Sequence, residues 1–286
     1  MGNLPPWGRH SQHPHRRNLT PSGVGGCQTR VPFCRPRVVA GMEFAAVRED
    51  MVESLEHDTK GVVESTPVGA AMRSVPRHEF VDAEHRAYMD QSFTHRGTTV
   101  LAPSLAARLI EALAPEPEDS VLVVGAGVGY TVAVLAEIVG ARQVQALDIS
   151  RDLVLDARKN LRRTGYGDVL VDCRDGADGL PEYAPFDRIL LEAAVADVPQ
   201  SLSDQLAPDG RLVAPVGPGE QRLVAIEAGE PVADFGAVGF QPLLVDGEQS
   251  GAVTRNRTHR EDREFAARAN EGRRGWEQDW IEWDQC

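Results

Sequence analysis

A chain of 286 residues has room for one sizeable α/β domain with appendages, or for two small domains. The formal charge of −13 is uneven: residues 1–41 hold six arginines and no acid, leaving 24 basic against 43 acidic groups on the rest. So acidic a body, with Lys60 and Lys159 as its only lysines, excludes broad electrostatic binding of nucleic acid and suits a halophile-type protein kept soluble in high salt.

Cys27, Cys34, Cys173 and Cys286 show no C-x-x-C or Cys/His ligand spacing, so neither a metal site nor a disulfide framework is expected. No apolar run reaches the roughly 18 residues of a membrane span, and no signal-peptide core opens the chain. The expectation is a soluble, cytoplasmic protein without membrane partners.

Residues 1–41 are rich in Pro, Gly, Arg and His without hydrophobic period, which reads as a disordered leader or as sequence upstream of a start at Met42. Ala45, Val47, Met51, Val52 and Leu55 then fall at helical spacing. A second helix is expected over Val62–Met72, interrupted or started at Pro67. A Pro-marked turn, Val75-Pro-Arg-His-Glu-Phe80, follows. The polar stretch from Gln91 to Pro103 reads as a loop over the mouth of a pocket, with His95 and Arg96 as candidate carboxylate ligands. It feeds a helix over Ser104–Leu113.

The centre of the chain is Val121-Leu-Val-Val-Gly125-Ala126-Gly127-Val-Gly129-Tyr130, an apolar run that enters three alternating glycines and then a helical pattern. Such a run reads as a strand buried on both faces of a parallel sheet. The glycines let the backbone approach a ligand, and the helix start points its N–H groups at it. Dinucleotide folds carry G-x-G-x-x-G around a pyrophosphate. Here the spacing is G-x-G-x-G and Tyr130 stands at the third position, which favours a small adenosyl ligand of the S-adenosylmethionine kind over NAD. Val144–Asp148 reads as the next strand, ending in a carboxylate placed to accept ribose hydroxyls, with Ile149 beside it.

Ser150 caps a helix over Arg151–Thr164, and Val169–Asp172 is a third strand. Asp175-Gly176 at its end can accept from an adenine amino group or serve as a turn. Phe186–Leu191 is a fourth strand running into Glu192-Ala-Ala-Val195. Pro199–Leu206 reads as a helix, Pro208-Asp-Gly210 as a turn and Arg211–Val216 as a fifth strand. Arg222–Glu227 and Val238–Val245 read as a closing pair. The alternation implies α/β with a mostly parallel sheet. The organisation expected is one ligand-binding domain over 42–246, divided into a helical and substrate-loop part (42–113) and an α/β core (114–246). A charged tail over 247–286 places Trp276, Trp280 and Trp283 on one helix face.

Residues 42–245 resemble the protein-L-isoaspartate O-methyltransferase family, through Val75-Pro-Arg-His-Glu-Phe-Val81, Ala87-Tyr-Met-Asp90, Thr99-Val-Leu-Ala-Pro103, the glycine stretch, Asp175-Gly176, Pro181–Ile189 and Gln205–Gly217. The resemblance implies a Rossmann-like methyltransferase with an N-terminal helical lid, using S-adenosylmethionine to methylate isoaspartyl carboxylates of damaged proteins or peptides. It implies cofactor contacts at Gly125, Ala126, Gly127, Gly129, Asp148, Ile149, Asp175 and Gly176. Acceptor contacts are implied at His95, Thr98, Thr99, Leu101 and Pro103. The family's serine facing the reacting carboxylate is here Leu101, so Thr99, Thr98 or a backbone N–H of the loop would have to substitute, with Thr99 the catalytic candidate. The alternatives are a different acceptor, or a cofactor-binding regulatory protein without transfer activity.

Overall fold

The computed structural model describes residues 37–57, 59–82 and 86–244. Expectations for the leader before residue 37 and for the tryptophan-bearing tail lie outside the described residues.

Helix α1 (Arg37–Glu56) begins at Arg37 rather than at Met42, where the composition changes. Its Met51, Val52 and Leu55 are buried. Helix α2 (Thr66–Ser74) carries Pro67 in its first turn, where the missing N–H costs nothing. Residues 62–65, expected as helix, instead return to α1, with the Val62 and Val63 amides donating to the Leu55 carbonyl. A 3-10 turn at Arg77–Glu79 follows. Next comes an antiparallel hairpin of β1 (Phe93–His95) and β2 (Thr98–Val100), where a plain loop was expected. Its two-residue turn is Arg96-Gly97, both at positive φ, the geometry that matches strand twist in a tight hairpin.

Helix α3 (Pro103–Leu113) leads into the sheet strands β3 (Val121–Val124), β4 (Val144–Asp148), β5 (Leu170–Cys173), β6 (Phe186–Leu191), β7 (Leu206–Val216), β8 (Gln221–Glu227) and β9 (Glu230–Val238). Helices α4 (Tyr130–Val139) and α5 (Arg151–Thr164) form the crossovers from β3 to β4 and from β4 to β5. The sheet order is β5-β4-β3-β6-β7-β8-β9. The pairs from β5 through β7 are parallel, and β8 and β9 close the sheet antiparallel.

All four residues of β3 are buried, because alternate side chains face two separate apolar layers. Val121 and Val123 join the layer that holds α4 and the N-terminal helices, while Leu122 and Val124 join Phe186, Ile189 and Leu212 on the other side. Among the described residues no helix is long and apolar enough to cross a membrane.

Three expectations in the second half are corrected. The closing pair is β8 and β9, turning at Ala228-Gly229 with both residues at positive φ, so Val238 ends a strand rather than beginning one. The Pro208-Asp-Gly210 turn lies inside β7 as a bulge, where pairing with β6 shifts between Phe186 and Arg188. The helix expected over Pro199–Leu206 is only α6, Gln200–Ser203. Gln205 stops it: its side chain is spent on the Leu180 amide and the Asp178 and Ser201 carbonyls.

Candidate active site

The strand order reverses between β3 and β6, and an open α/β sheet binds ligands at such a reversal, beyond its carboxyl ends. A cavity of about 410 Å³ opens there. The glycine loop is latched to the neighbouring strand: the Gly125 and Ala126 amides both donate to the Leu147 carbonyl at 2.8 Å. The Gly127 amide donates to Asp148 Oδ2 at 3.0 Å, and the Ser150 amide donates to Oδ1 at 2.9 Å. Burial raises the Asp148 pKa above the ordinary value, opposed by those two N–H groups.

The glycines do different work. Gly127, at φ +52°, borders the cavity, and a Cβ there would meet no protein atom within 4 Å. Gly129, at φ +90°, lies against Ala157 and Leu161 of α5, so it packs helix on helix. Gly125, Asp148, Ile149 and Gly176 line the main cavity. Ala126 lines a small adjoining cavity of about 20 Å³. Asp175 is not among the lining residues; its Oδ1 accepts from the Ala177 amide in a turn.

Of the residues expected to contact the acceptor, Thr98, Thr99 and Leu101 line the main cavity, and Thr99 and Leu101 also line the small one. Pro103 is buried as the first residue of α3 and does not line either cavity. His95 and Arg96 point elsewhere: His95 Nε2 lies 2.9 Å and Arg96 Nε 2.5 Å from Asp156 Oδ2 on α5. Burial works against the Asp156 carboxylate, yet its bonds to Arg96 and His95 hold its pKa below the ordinary value. The pair pins the hairpin over the pocket rather than facing an acceptor. Asp156→Ala should therefore raise the acceptor KM severalfold while S-adenosylhomocysteine affinity, read by calorimetry, stays put. Equal loss of both would contradict a pinning role.

Arg77, in the Pro-marked turn, is completely buried and holds the acceptor segment from below. Its Nε donates to the Ala87 carbonyl at 2.8 Å and its Nη2 to the Leu101 carbonyl at 2.5 Å.

Two groups stand out among the cavity-wall residues that the sequence did not assign to the site. One is residues 239–244 after β9, which run back to the end of β6, with the Leu243 amide donating to Ala194 at 2.8 Å. Nothing local marks them, since only the path of the chain brings them there. The other is Glu192, which follows β6 directly and lines both cavities. Its signal was present: an acid straight after an apolar strand, the same pattern as Asp148.

A parallel sheet closed by an antiparallel pair, with a two-glycine cradle and a strand-end acid at its reversal, defines the S-adenosylmethionine-dependent methyltransferases. The model of the protein-L-isoaspartate(D-aspartate) O-methyltransferase family matches residues 46–239, and the chain belongs to that family. Its curated relatives include protein-L-isoaspartate O-methyltransferases from Methanopyrus kandleri, 45% identical over 61% of this chain and 78% of the relative, and from Aromatoleum aromaticum, 41% identical over 73% and 96%. A solved protein-L-isoaspartate O-methyltransferase is 28% identical and superimposes with a TM-score of 0.61 over 68% of this chain and 65% of that one. A Plasmodium falciparum chain solved with S-adenosyl-L-homocysteine shares the fold at 22% identity and a TM-score of 0.62, over 69% and 98%. The chain is thus a methyltransferase enzyme of the isoaspartate-repair kind, with S-adenosylmethionine as its cofactor.

Proposed function

We propose that the cavity brings the cofactor's methyl group to the free carboxylate of an isoaspartyl residue, presented beneath the β1–β2 hairpin by a damaged protein or peptide. The observation that carries this reading is one cavity bordered on one side by Gly125, Gly127 and Asp148 and on the other by Thr98, Thr99 and Leu101. The residues present fit the cofactor. The space beyond Gly127 is what a Cβ would fill, and Asp148 reaches the cavity wall with its two oxygens already oriented by backbone N–H groups.

The cofactor, when bound, supplies an electrophilic methyl group on a sulfonium. Asp148 would accept from the ribose hydroxyls, and the bare backbone at Gly125 and Gly127 would let the cofactor lie close. An acceptor carboxylate is already ionised at neutral pH, so no general base is required of the protein. Alignment is what remains, and it can supply roughly 7–11 kcal/mol for a well-oriented pair. Thr99 supplies the hydroxyl that orients one carboxylate oxygen, and Leu101 and Leu105 exclude water. Cysteines without paired spacing support a reducing, cytoplasmic setting.

The direct test offers labelled S-adenosylmethionine and matched isoaspartyl and aspartyl peptides at several salt concentrations. Methylation confined to the isoaspartyl peptide is expected. Incorporation into neither peptide, or equally into both, would overturn the acceptor assignment.

Leu101→Ser adds a hydroxyl to the acceptor wall at a buried position. It should raise isoaspartyl methylation about tenfold, as one added hydrogen bond to a charged group implies, despite a lower melting temperature. An unchanged rate in a folded variant would show that the pocket is not short of a hydroxyl there.

A further inference from the structure

Glu192 is the one acid in the described site to which the reading above gives no task. It follows β6 directly, its Cβ lies 3.3 Å from where a Cβ on Gly125 would sit, and its side chain lines both cavities. Oε1 is sealed from solvent and has no hydrogen-bond partner. A buried acceptor without a partner is destabilising, so its presence in a binding site calls for a ligand that satisfies it.

The topology says which end of the ligand that is. Asp148, the ribose acceptor, ends β4, the glycine loop follows β3, and Glu192 follows β6, in the spatial order β4-β3-β6. A cofactor whose ribose sits at Asp148 and which crosses the glycine loop directs its methionine and sulfonium end toward Glu192. Glu192 also borders Thr99 and Leu101 through the small cavity, so it stands where cofactor and acceptor meet.

We propose that the Glu192 carboxyl group is the counter-charge for the sulfonium of S-adenosylmethionine, neutral in the free enzyme, ionised when that cation enters, and neutral again once the methyl group has gone. The proposal rests on the cofactor reading above. Transfer breaks the S–CH3 bond, whose electron pair stays on sulfur, and forms an O–CH3 bond from a lone pair of the acceptor carboxylate. One positive and one negative charge vanish together. Glu192 is then left as a buried carboxylate without a counter-ion and takes up one proton from solvent, the equivalent of the proton released when the cofactor bound. The site therefore prefers the charged substrate to the uncharged sulfur of the product, which favours release of S-adenosylhomocysteine.

The surroundings agree with a neutral resting state. Burial pushes the Glu192 pKa up to about 8, opposed by a hydrogen bond from Thr131 on α4 and reinforced by the Asp148 carboxylate beyond β3. The small cavity also carries the Arg77 guanidinium, whose charge favours the ionised form, and the Tyr130 hydroxyl, each with a buried polar atom that, like Oε1, has no hydrogen-bond partner. The walls given by β3, by α3 and by residues 239–244 add no charged side chain.

The test is isothermal titration calorimetry without acceptor peptide, using S-adenosylmethionine and S-adenosylhomocysteine on the wild-type protein and on Glu192→Gln, in buffers of different ionisation enthalpy. From about pH 6.5 to about pH 8.5, the wild-type preference for S-adenosylmethionine should rise roughly tenfold, because only that ligand draws a proton from the group. Near neutrality its binding should release close to one proton. Glu192→Gln should show a flat ratio and no such release.

Melting temperature gives a second measurement without ligand. A glutamate whose pKa is raised on folding loses stability as pH climbs from the ordinary carboxylate range to about 8, so the wild type should fall relative to Glu192→Gln across that window. A wild-type ratio independent of pH, or one matched by the variant, would overturn the proposal while leaving the cofactor reading intact. Binding of neither ligand by the wild type would overturn both.

Discussion

Asp148→Ala is expected to weaken S-adenosylhomocysteine binding by about a hundredfold or more, with the methylation rate falling alongside it. Two losses combine. Each ribose hydroxyl loses a charged acceptor, worth roughly 1.5–3 kcal/mol, and two such bonds already imply that factor. The Gly127 and Ser150 amides also lose the oxygens that fix them, so the cradle itself loosens. Asp148→Asn keeps one acceptor oxygen and should fall between the two. Calorimetry on all three proteins decides the matter. An alanine variant that binds within a few-fold of wild type would place the ribose elsewhere and remove the reason for orienting the cofactor along β4, β3 and β6.

The second large effect is expected at a residue that touches neither ligand. Arg77→Met keeps the length of the buried stem but removes both donors, leaving the Ala87 and Leu101 carbonyls without them. An orphaned buried carbonyl costs about 1–3 kcal/mol, so the variant should lose roughly 2–6 kcal/mol. At about 2–4 °C per kcal/mol for a domain of this size, the melting temperature should drop by roughly 5–20 °C. The guanidinium also stacks 4.5 Å from the centre of the Tyr130 ring, an attraction that methionine does not replace in full. Because Leu101 is then free to move, the acceptor KM should rise more than the cofactor Kd at temperatures where the variant stays folded. A melting temperature within a degree or two of wild type would mean that water or local rearrangement satisfies both carbonyls.

These effects differ in how visible their causes are along the chain. Asp148 shows itself as an acid closing an apolar strand, 19 residues beyond the last glycine of the loop. Arg77 belongs to a phrase that carries the family resemblance, yet nothing local says that its side chain runs inward to the Leu101 carbonyl. His95 and Arg96 mislead in the opposite direction. An imidazole and a guanidinium in a loop beside a pocket read as carboxylate ligands, and the carboxylate they find is Asp156, 61 and 60 residues away in sequence.

The sequence by itself determined the α/β class, the parallel core and the cofactor. Each rests on a short-range pattern: apolar runs sized for buried strands, glycines at alternate positions, and strand ends with their acids. β4, α5 and β6 run over the residues those patterns predict, because local propensity and burial agree there. Only the tertiary structure brought residues 239–244 and Glu192 into the cavity wall beside the residues the sequence had named. The β8–β9 hairpin turned at once at Ala228-Gly229, so its second strand ends at Val238 instead of beginning there, and that sends residues 239–244 back across the end of β6. The sheet order, set by how helices pack on its two faces, likewise brought Glu192 beside Gly125 from 67 residues away. Pairings of that separation depend on loop closure and packing of the whole domain, and no local pattern encodes them.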